Sequence, residues 1–202
     1  MTPSLILALI GFAFASSITP GPNNMMLMAS GANFGFMRTL PHMLGVALGF
    51  VFLALCVGLG LIEIFERFPV VRLGLTVISA GYLIFLAWKI ANAAPPEERS
   101  ATATPMSFFQ ACLFQWVNPK AIYMALAAIT LYAPQQSLSQ VIAVTLIFGA
   151  INLPCVSVWV LIGTQLRRIF KNPRHLRLFN VTMAILLIVT LIPSLYTTLV
   201  AQ

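Results

Sequence analysis

The stretch "SITPGPNNMM", Ser17 to Met26, sets two prolines, a glycine and two asparagines in the middle of an apolar run from Leu5 to Ala32. Pro20 and Pro22 carry no N–H and clash with the carbonyl four residues earlier, which frees the carbonyls of Ser16 and Ile18, while Gly21 admits unusual backbone angles. In hydrocarbon such orphaned groups are costly, so irregular backbone survives there only where protein, water or solute satisfies it. The break is therefore expected to line a cavity, and Asn23 and Asn24 add amide donors and acceptors at the same depth.

Composition supplies the hydrocarbon. Of 202 residues, 60% are hydrophobic and 7% charged, where a soluble domain is about a quarter charged. The chain reads as a single all-α integral membrane domain over residues 1–202. Six apolar runs are long enough for helical crossings: Leu5 to Ala32, Met43 to Ile62, Val70 to Trp88, Met106 to Ala133, Val141 to Ile162 and Val181 to Val200. None alternates as a barrel strand would. "AFA" at 13 to 15 mimics a signal-peptide cleavage site, but no Lys or Arg precedes the run and hydrophobicity resumes after residue 24, so the segment is expected to stay.

Eight Lys and Arg fall in the first, third and fifth connectors (Arg38, Lys89, Arg99, Arg167, Arg168, Lys171, Arg174, Arg177) against Arg67 and Arg72 in the second. That bias places the odd connectors in the cytoplasm and both termini outside. The cluster "RRIFKNPRHLR" is a topological stop signal before it is a patch for nucleic acid or anionic lipid, and no nucleic-acid partner is expected. Cys56, Cys112 and Cys155 lie in separate runs without metal-ligand spacing and read as packing residues; no metal or cofactor is expected. Gly45 and Gly49 form a GxxxG whose default is close helix packing. His42, following Pro41, reads as an interfacial residue at the start of span two.

Runs one and four are the two long ones, 28 residues each, and each is interrupted near its middle, by "TPGPN" at Thr19 to Asn23 and by "NPK" at Asn118 to Lys120. Pro20 and Pro119 lie 99 residues apart in a chain of half-length 101. The expected fold is thus two inverted three-helix repeats, about 1–92 and 106–202, joined by a polar linker at about 93–105, with helices one and four broken at mid-membrane. Broken helices at matching positions of inverted halves point to a transporter's binding site. Pro119 frees the carbonyl of Gln115 as the other prolines do theirs. Lys120 lies about 14 residues from either end of its run, or roughly 20 Å along a helix, beyond the reach of a snorkelling stem. The alternative is that Met106 to Asn118 lies on the membrane surface and Lys120 marks the cytoplasmic boundary, but Ala121 to Ala133 is only 13 residues, too short to span. At the start of the half-helix after Pro119, Lys120 opposes the macrodipole, so helix stability would not select it. A cation beside a helix N-terminus suits a carboxylate. Gln110, Gln115 and Asn152 are candidates for lining the same cavity.

The chain has no Asp, and Glu63, Glu66, Glu97 and Glu98 all fall in connectors. A hydrolytic or metal-dependent membrane enzyme is therefore not expected, and the solute should be neutral or anionic. A solute channel or a non-transporting scaffold are the rival classes. A channel would neither saturate nor accumulate solute; a scaffold leaves Lys120 unexplained.

"ITPGPNNMMLMASGANFGFMRTLPHMLGVALGF" at 18 to 50, "GYLIFLAWKI" at 81 to 90 and "WVNPKA" at 116 to 121 resemble the LysE/RhtB family of bacterial amino-acid exporters, and within it the branch containing the cysteine and O-acetylserine exporter. The resemblance implies a multi-pass inner-membrane protein that exports small neutral amino acids or their derivatives, driven by an ion gradient, the proton being the first candidate. A homodimer is compatible with it. It carries over onto Thr19, Pro20, Gly21, Pro22, Asn23, Asn118, Pro119 and Lys120. Many members have an Asp after the second glycine of span two, where this chain has Phe50, which argues against a basic substrate. Lys120 and the half-helix N-termini are expected to hold the substrate carboxylate. Carbonyls near Ser16 and Gln115, with the amides of Asn23 and Asn118, would meet its ammonium group.

Overall fold

A computed structural model describes residues 1–61, 67, 69–93, 104–135, 137–169, 173–190 and 192. Most of the second connector, the centre of the 93–105 linker, residues 170–172 of the basic cluster and the end of the sixth apolar run lie outside these residues. Every regular element among them is helical.

Helix α1 (Pro3–Ile18) opens on Thr2, whose hydroxyl accepts the Leu5 N–H at 3.3 Å. It stops at Thr19, and α2 (Pro22–Phe34) departs from its axis by 55°. Gly35, at φ 81°, turns the chain into α3 (Phe36–Cys56). A π-helical turn (Val57–Leu61) continues α3, and α4 (Pro69–Ala91) follows. Helix α5 (Phe108–Phe114) begins in a reciprocal capping box between Ser107 and Gln110. It runs into a tightened turn in which Gln115, Trp116 and Val117 each bond the carbonyl three residues back. Asn118 then caps α6 (Pro119–Tyr132), followed by α7 (Leu138–Ile169) and α8 (Pro173–Val189). Both long apolar runs are thus interrupted where "TPGPN" and "NPK" stand.

Among the described residues, Phe36–Leu61 and Leu138–Arg167 are single helices long and apolar enough to cross a membrane, and α1 with α2 makes a third, bent candidate. Val77–Ala91 and Pro119–Tyr132 are shorter apolar helices.

Large apolar side chains face outward as well as inward. Helix α2 carries Asn24, Ser30 and Asn33, yet eleven of its thirteen residues are buried, while Phe14, Leu48, Phe52, Ile84, Trp88, Phe109 and Leu146 face outward. Large apolar groups on the outside and amides inside suit a lipid surround; this is a membrane protein. Glycines set how close the inner helices come. A Cβ on Gly31 would strike the Val160 carbonyl, and one on Gly163 would strike that of Met28, so α2 and α7 touch backbone to backbone. Gly45 and Gly49 seat α3 on α5 in the same way, the latter leaving 2.6 Å between a would-be Cβ and Cys112 Cα. The packing reading of that GxxxG holds. Asn33 and Asn180 exchange amide hydrogen bonds of 2.7 and 3.2 Å, tying α2 to α8.

His42 departs from its expected place at the start of a helix. Helix α3 begins at Phe36 and runs through Pro41, so His42 sits more than a turn inside the helix and is 2% exposed.

Candidate functional site

The two breaks meet. Lys120, in the first turn of α6, sends its Nζ to the Thr19 carbonyl (2.7 Å), the Thr19 hydroxyl (3.0 Å) and the Pro20 carbonyl (3.2 Å) at the open end of α1. A helix C-terminus leaves carbonyls unpaired and carries partial negative charge, so an ammonium group from the opposite break is a fitting cap. Gly21 makes the room: a Cβ there would lie 2.6 Å from Lys120 Cδ and 3.1 Å from its Nζ. The backbone of Gly21 is extended, so the requirement is for space rather than for a glycine-only conformation.

Amides close the rest. Asn24 spans the first break, its Nδ2 donating to the carbonyls of Ser17 (2.8 Å) and Thr19 (2.7 Å). Asn23 and Gln115 exchange hydrogen bonds of 2.7 and 3.2 Å between the two breaks, and Gln115 Nε2 also donates to Ala111 O at 2.8 Å. Asn118 is spent on its own helix, where its Oδ1 accepts the Lys120 N–H at 3.2 Å. Pro22 and Pro119 take the first positions of α2 and α6, where a missing N–H costs nothing.

The carbonyls that the prolines free are not left open, contrary to the expectation that they would await a solute's ammonium group. Ser16 O accepts the Thr19 hydroxyl at 3.0 Å, Ile18 O accepts Trp159 Nε1 at 3.2 Å, and Gln115 O accepts the Asn118 N–H at 3.4 Å. The carbonyls facing the ammonium group of Lys120 are instead those of Thr19 and Pro20, beyond the helix end. Sequence spacing identifies the orphaned groups, but a tryptophan more than a hundred residues away leaves no local trace at Ile18.

A cavity of about 20 Å³ lies at the junction, lined by Ser17, Asn23, Asn24, Asn118, Lys120 and Asn152 together with the apolar Phe50, Met124 and Val156. That volume holds about one water molecule. Asn152 donates to Ser17 Oγ at 3.0 Å, while its Oδ1 is buried without a partner. Gln110, expected beside it, serves the α5 capping box and borders a different cavity. On its other flank Lys120 borders an apolar cleft of about 900 Å³ that includes Phe12, Pro20, Met25, Tyr123 and Trp159. Phe50 borders the same cavity and packs on Phe148, ring centroids 4.6 Å apart. The candidate residues Thr19, Pro20, Gly21, Asn23, Asn24, Gln115, Asn118 and Lys120 therefore form one cluster built from both halves of the chain. Asn152 and Phe50 join it from α7 and α3, and in Asn152 the signal was a lone amide in an apolar run.

A family model described as LysE type translocator matches residues 14–192. The chain is 32% identical over 191 residues to the cysteine/O-acetylserine efflux protein of Escherichia coli (strain K12), covering 93% of this chain and 96% of that protein. It is 33% identical, with the same coverage, to the protein of that name from Escherichia coli O139:H28 (strain E24377A / ETEC), and 32% identical to that of Shigella flexneri. No solved structure matches. With a family match over nearly the whole length, the chain belongs to the LysE type translocator family, as a transporter rather than an enzyme.

Proposed function

We propose that this protein is a secondary-active exporter of small neutral amino acids or their close derivatives, working across the bacterial inner membrane and driven by the proton gradient. Six spans in two inverted three-helix repeats, with both termini periplasmic, are the arrangement that the paired breaks and the distribution of Lys and Arg support. The efflux function named for the relatives supports the solute class. Phe50, in place of a carboxylate, supports a substrate without a cationic side chain.

One observation carries the mechanism: the Lys120 ammonium group rests on the Thr19 and Pro20 carbonyls. It holds the place that a substrate ammonium group would take, in a cavity of about 20 Å³ that is too small for an amino acid. The cleft of about 900 Å³ on the other flank of Lys120 has the room, so loading requires Lys120 to leave the end of α1. A substrate carboxylate draws Lys120 off α1, and the substrate's own ammonium group replaces it on the carbonyls. The exchange keeps one cation on the helix end throughout, so no carbonyl is stranded during the cycle. Release on the other side returns Lys120 to Thr19, and rocking of one repeat against the other moves the opening across the membrane.

Everted vesicles containing the protein should accumulate labelled cysteine or O-acetylserine when a proton gradient is imposed, with saturation and with competition by other small neutral amino acids. Uptake of no amino acid under any gradient would refute the reading. Flow that neither saturates nor concentrates solute would point to a channel.

A further inference from the structure

At the opposite end of α2 from the Lys120 junction lies a second cavity, of about 620 Å³, bounded by Ser30 and Asn33 of α2, His42 of α3, Tyr82 and Lys89 of α4 and Gln110 of α5. His42 is 2% exposed, and neither Nδ1 nor Nε2 has a hydrogen-bond partner. A neutral imidazole has one donor and one acceptor, and leaving both unmet inside a protein is destabilising. Packing does not require it, since an apolar side chain of similar volume would fill the space without that cost. Among the described residues, His42 is the only buried side chain with ionisable nitrogen or oxygen atoms that all lack a hydrogen-bond partner. Lys120, by contrast, is bound by three acceptors.

We propose that His42 is the proton-binding site of this transporter, a proton from water adding to the lone pair of the unprotonated ring nitrogen and leaving from it on the other side of the cycle. The inference rests on the proton-coupled transport reading above. The ionisable groups facing the site from α4 are Tyr82 and Lys89. Helix α3 itself carries Arg38, over the Phe34 ring at 5.5 Å. Helix α5 contributes the Cys112 thiol, which donates to Gly45 O at 3.3 Å. Helix α2 contributes none to the cavity wall, α6 brings Lys120 only at the far junction, and α7 meets α3 through Ser157 and Met43, with the Cys155 thiol on the same helix. None of these is a carboxylate. Among the described residues no carboxylate faces His42, so an imidazolium there draws its stabilisation from water or a solute carboxylate entering the cavity.

Helix α2 supplies the link. One turn before His42, Thr39 of α3 holds Ser30 of α2 through a 3.0 Å hydroxyl contact. The other end of α2 begins at the break that Lys120 closes. Proton and substrate thus act at two places on one thirteen-residue helix, Ser30 and Pro22, about 12 Å apart along its axis, and each biases its position without touching the other.

The test uses the full chain, which has two histidines, His42 and His175. Nitrogen-15 NMR of histidine-labelled protein, with His42→Asn assigning the resonance, should show the His42 ring titrating and its midpoint shifting when O-acetylserine is added. In proteoliposomes, whatever transport remains in His42→Asn and His42→Gln should no longer respond to an imposed pH gradient, whereas that of the wild type does. A His42 ring that does not titrate, or variants that still concentrate substrate at the expense of the gradient, would overturn the assignment. Wild-type protein that carries no amino acid at all overturns the transporter reading, and the coupling role with it. Wild type and variants that are equally gradient-driven overturn the role of His42 alone.

Discussion

Replacing Lys120 with Met keeps the length of the stem and removes the ammonium group. Three acceptors lose their donor: the Thr19 carbonyl at 2.7 Å, the Thr19 hydroxyl at 3.0 Å and the Pro20 carbonyl at 3.2 Å. Hydrogen bonds to a charged donor contribute about 1.5 to 3 kcal/mol each when buried. Here all three share one half-buried ammonium group, Thr19 O keeps its bond from Asn24, and desolvation of the charge is relieved at the same time. The stability of the folded protein should therefore fall by only about 1 kcal/mol. Substrate binding should suffer more. Stripping the partner from a carboxylate held in a dehydrated site costs about 2 to 4 kcal/mol, or roughly 30- to 1000-fold in affinity. The assay is binding of labelled O-acetylserine to purified protein, alongside thermal unfolding in the same detergent. A Lys120→Met protein that unfolds near the wild-type temperature and binds within threefold of wild type would refute the assignment of Lys120 to the carboxylate. A large loss of stability together with normal transport would make Lys120 a structural cap and nothing more.

Gly163→Ala should be the most damaging of the small substitutions: its methyl would meet the Met28 carbonyl and lie 2.9 Å from Ala32 N. Overpacking of backbone against backbone should cost about 1 to 3 kcal/mol, read as a lower unfolding temperature in detergent. Gly21→Ala should unfold near the wild-type temperature and lose substrate affinity, because the new methyl displaces the flexible Lys120 stem; a fall in stability as large as that of Gly163→Ala would contradict this. A double-mutant cycle between Asn23→Ala and Gln115→Ala should return a coupling of about 0.5 to 1.5 kcal/mol in thermal unfolding, and a coupling of zero would mean that the paired amides do not clasp the breaks together. Phe50→Asp puts a carboxylate on the cavity wall. It should lose stability through the broken Phe148 contact and gain competition by lysine or arginine for the labelled substrate, a gain whose absence counts against Phe50 as a selector.

How much was legible beforehand differs from residue to residue. The interruptions of α1–α2 and α5–α6 were readable because proline acts locally, through its own missing N–H and its clash with the carbonyl four residues back. The packing role of Gly45 and Gly49 was readable for a similar reason, since a four-residue spacing puts both on one helix face. His42 was misplaced because Pro41 reads as a helix start, whereas Gly35 had already turned the chain and α3 had begun at Phe36. Gln110 was misassigned because a capping box with Ser107 is a local use of an amide that looks, in an apolar run, like a site residue.

By itself, the sequence determined the solvent, the two breaks and the exceptional position of Lys120, because composition and proline geometry act over a few residues. Which acceptors receive the Lys120 ammonium group, which side chains answer the freed carbonyls, and the burial of His42 without a partner were decided only by the tertiary structure. Those pairings join atoms up to 141 residues apart in the chain, and an orphaned group declares what it lacks without declaring what packing will bring to it.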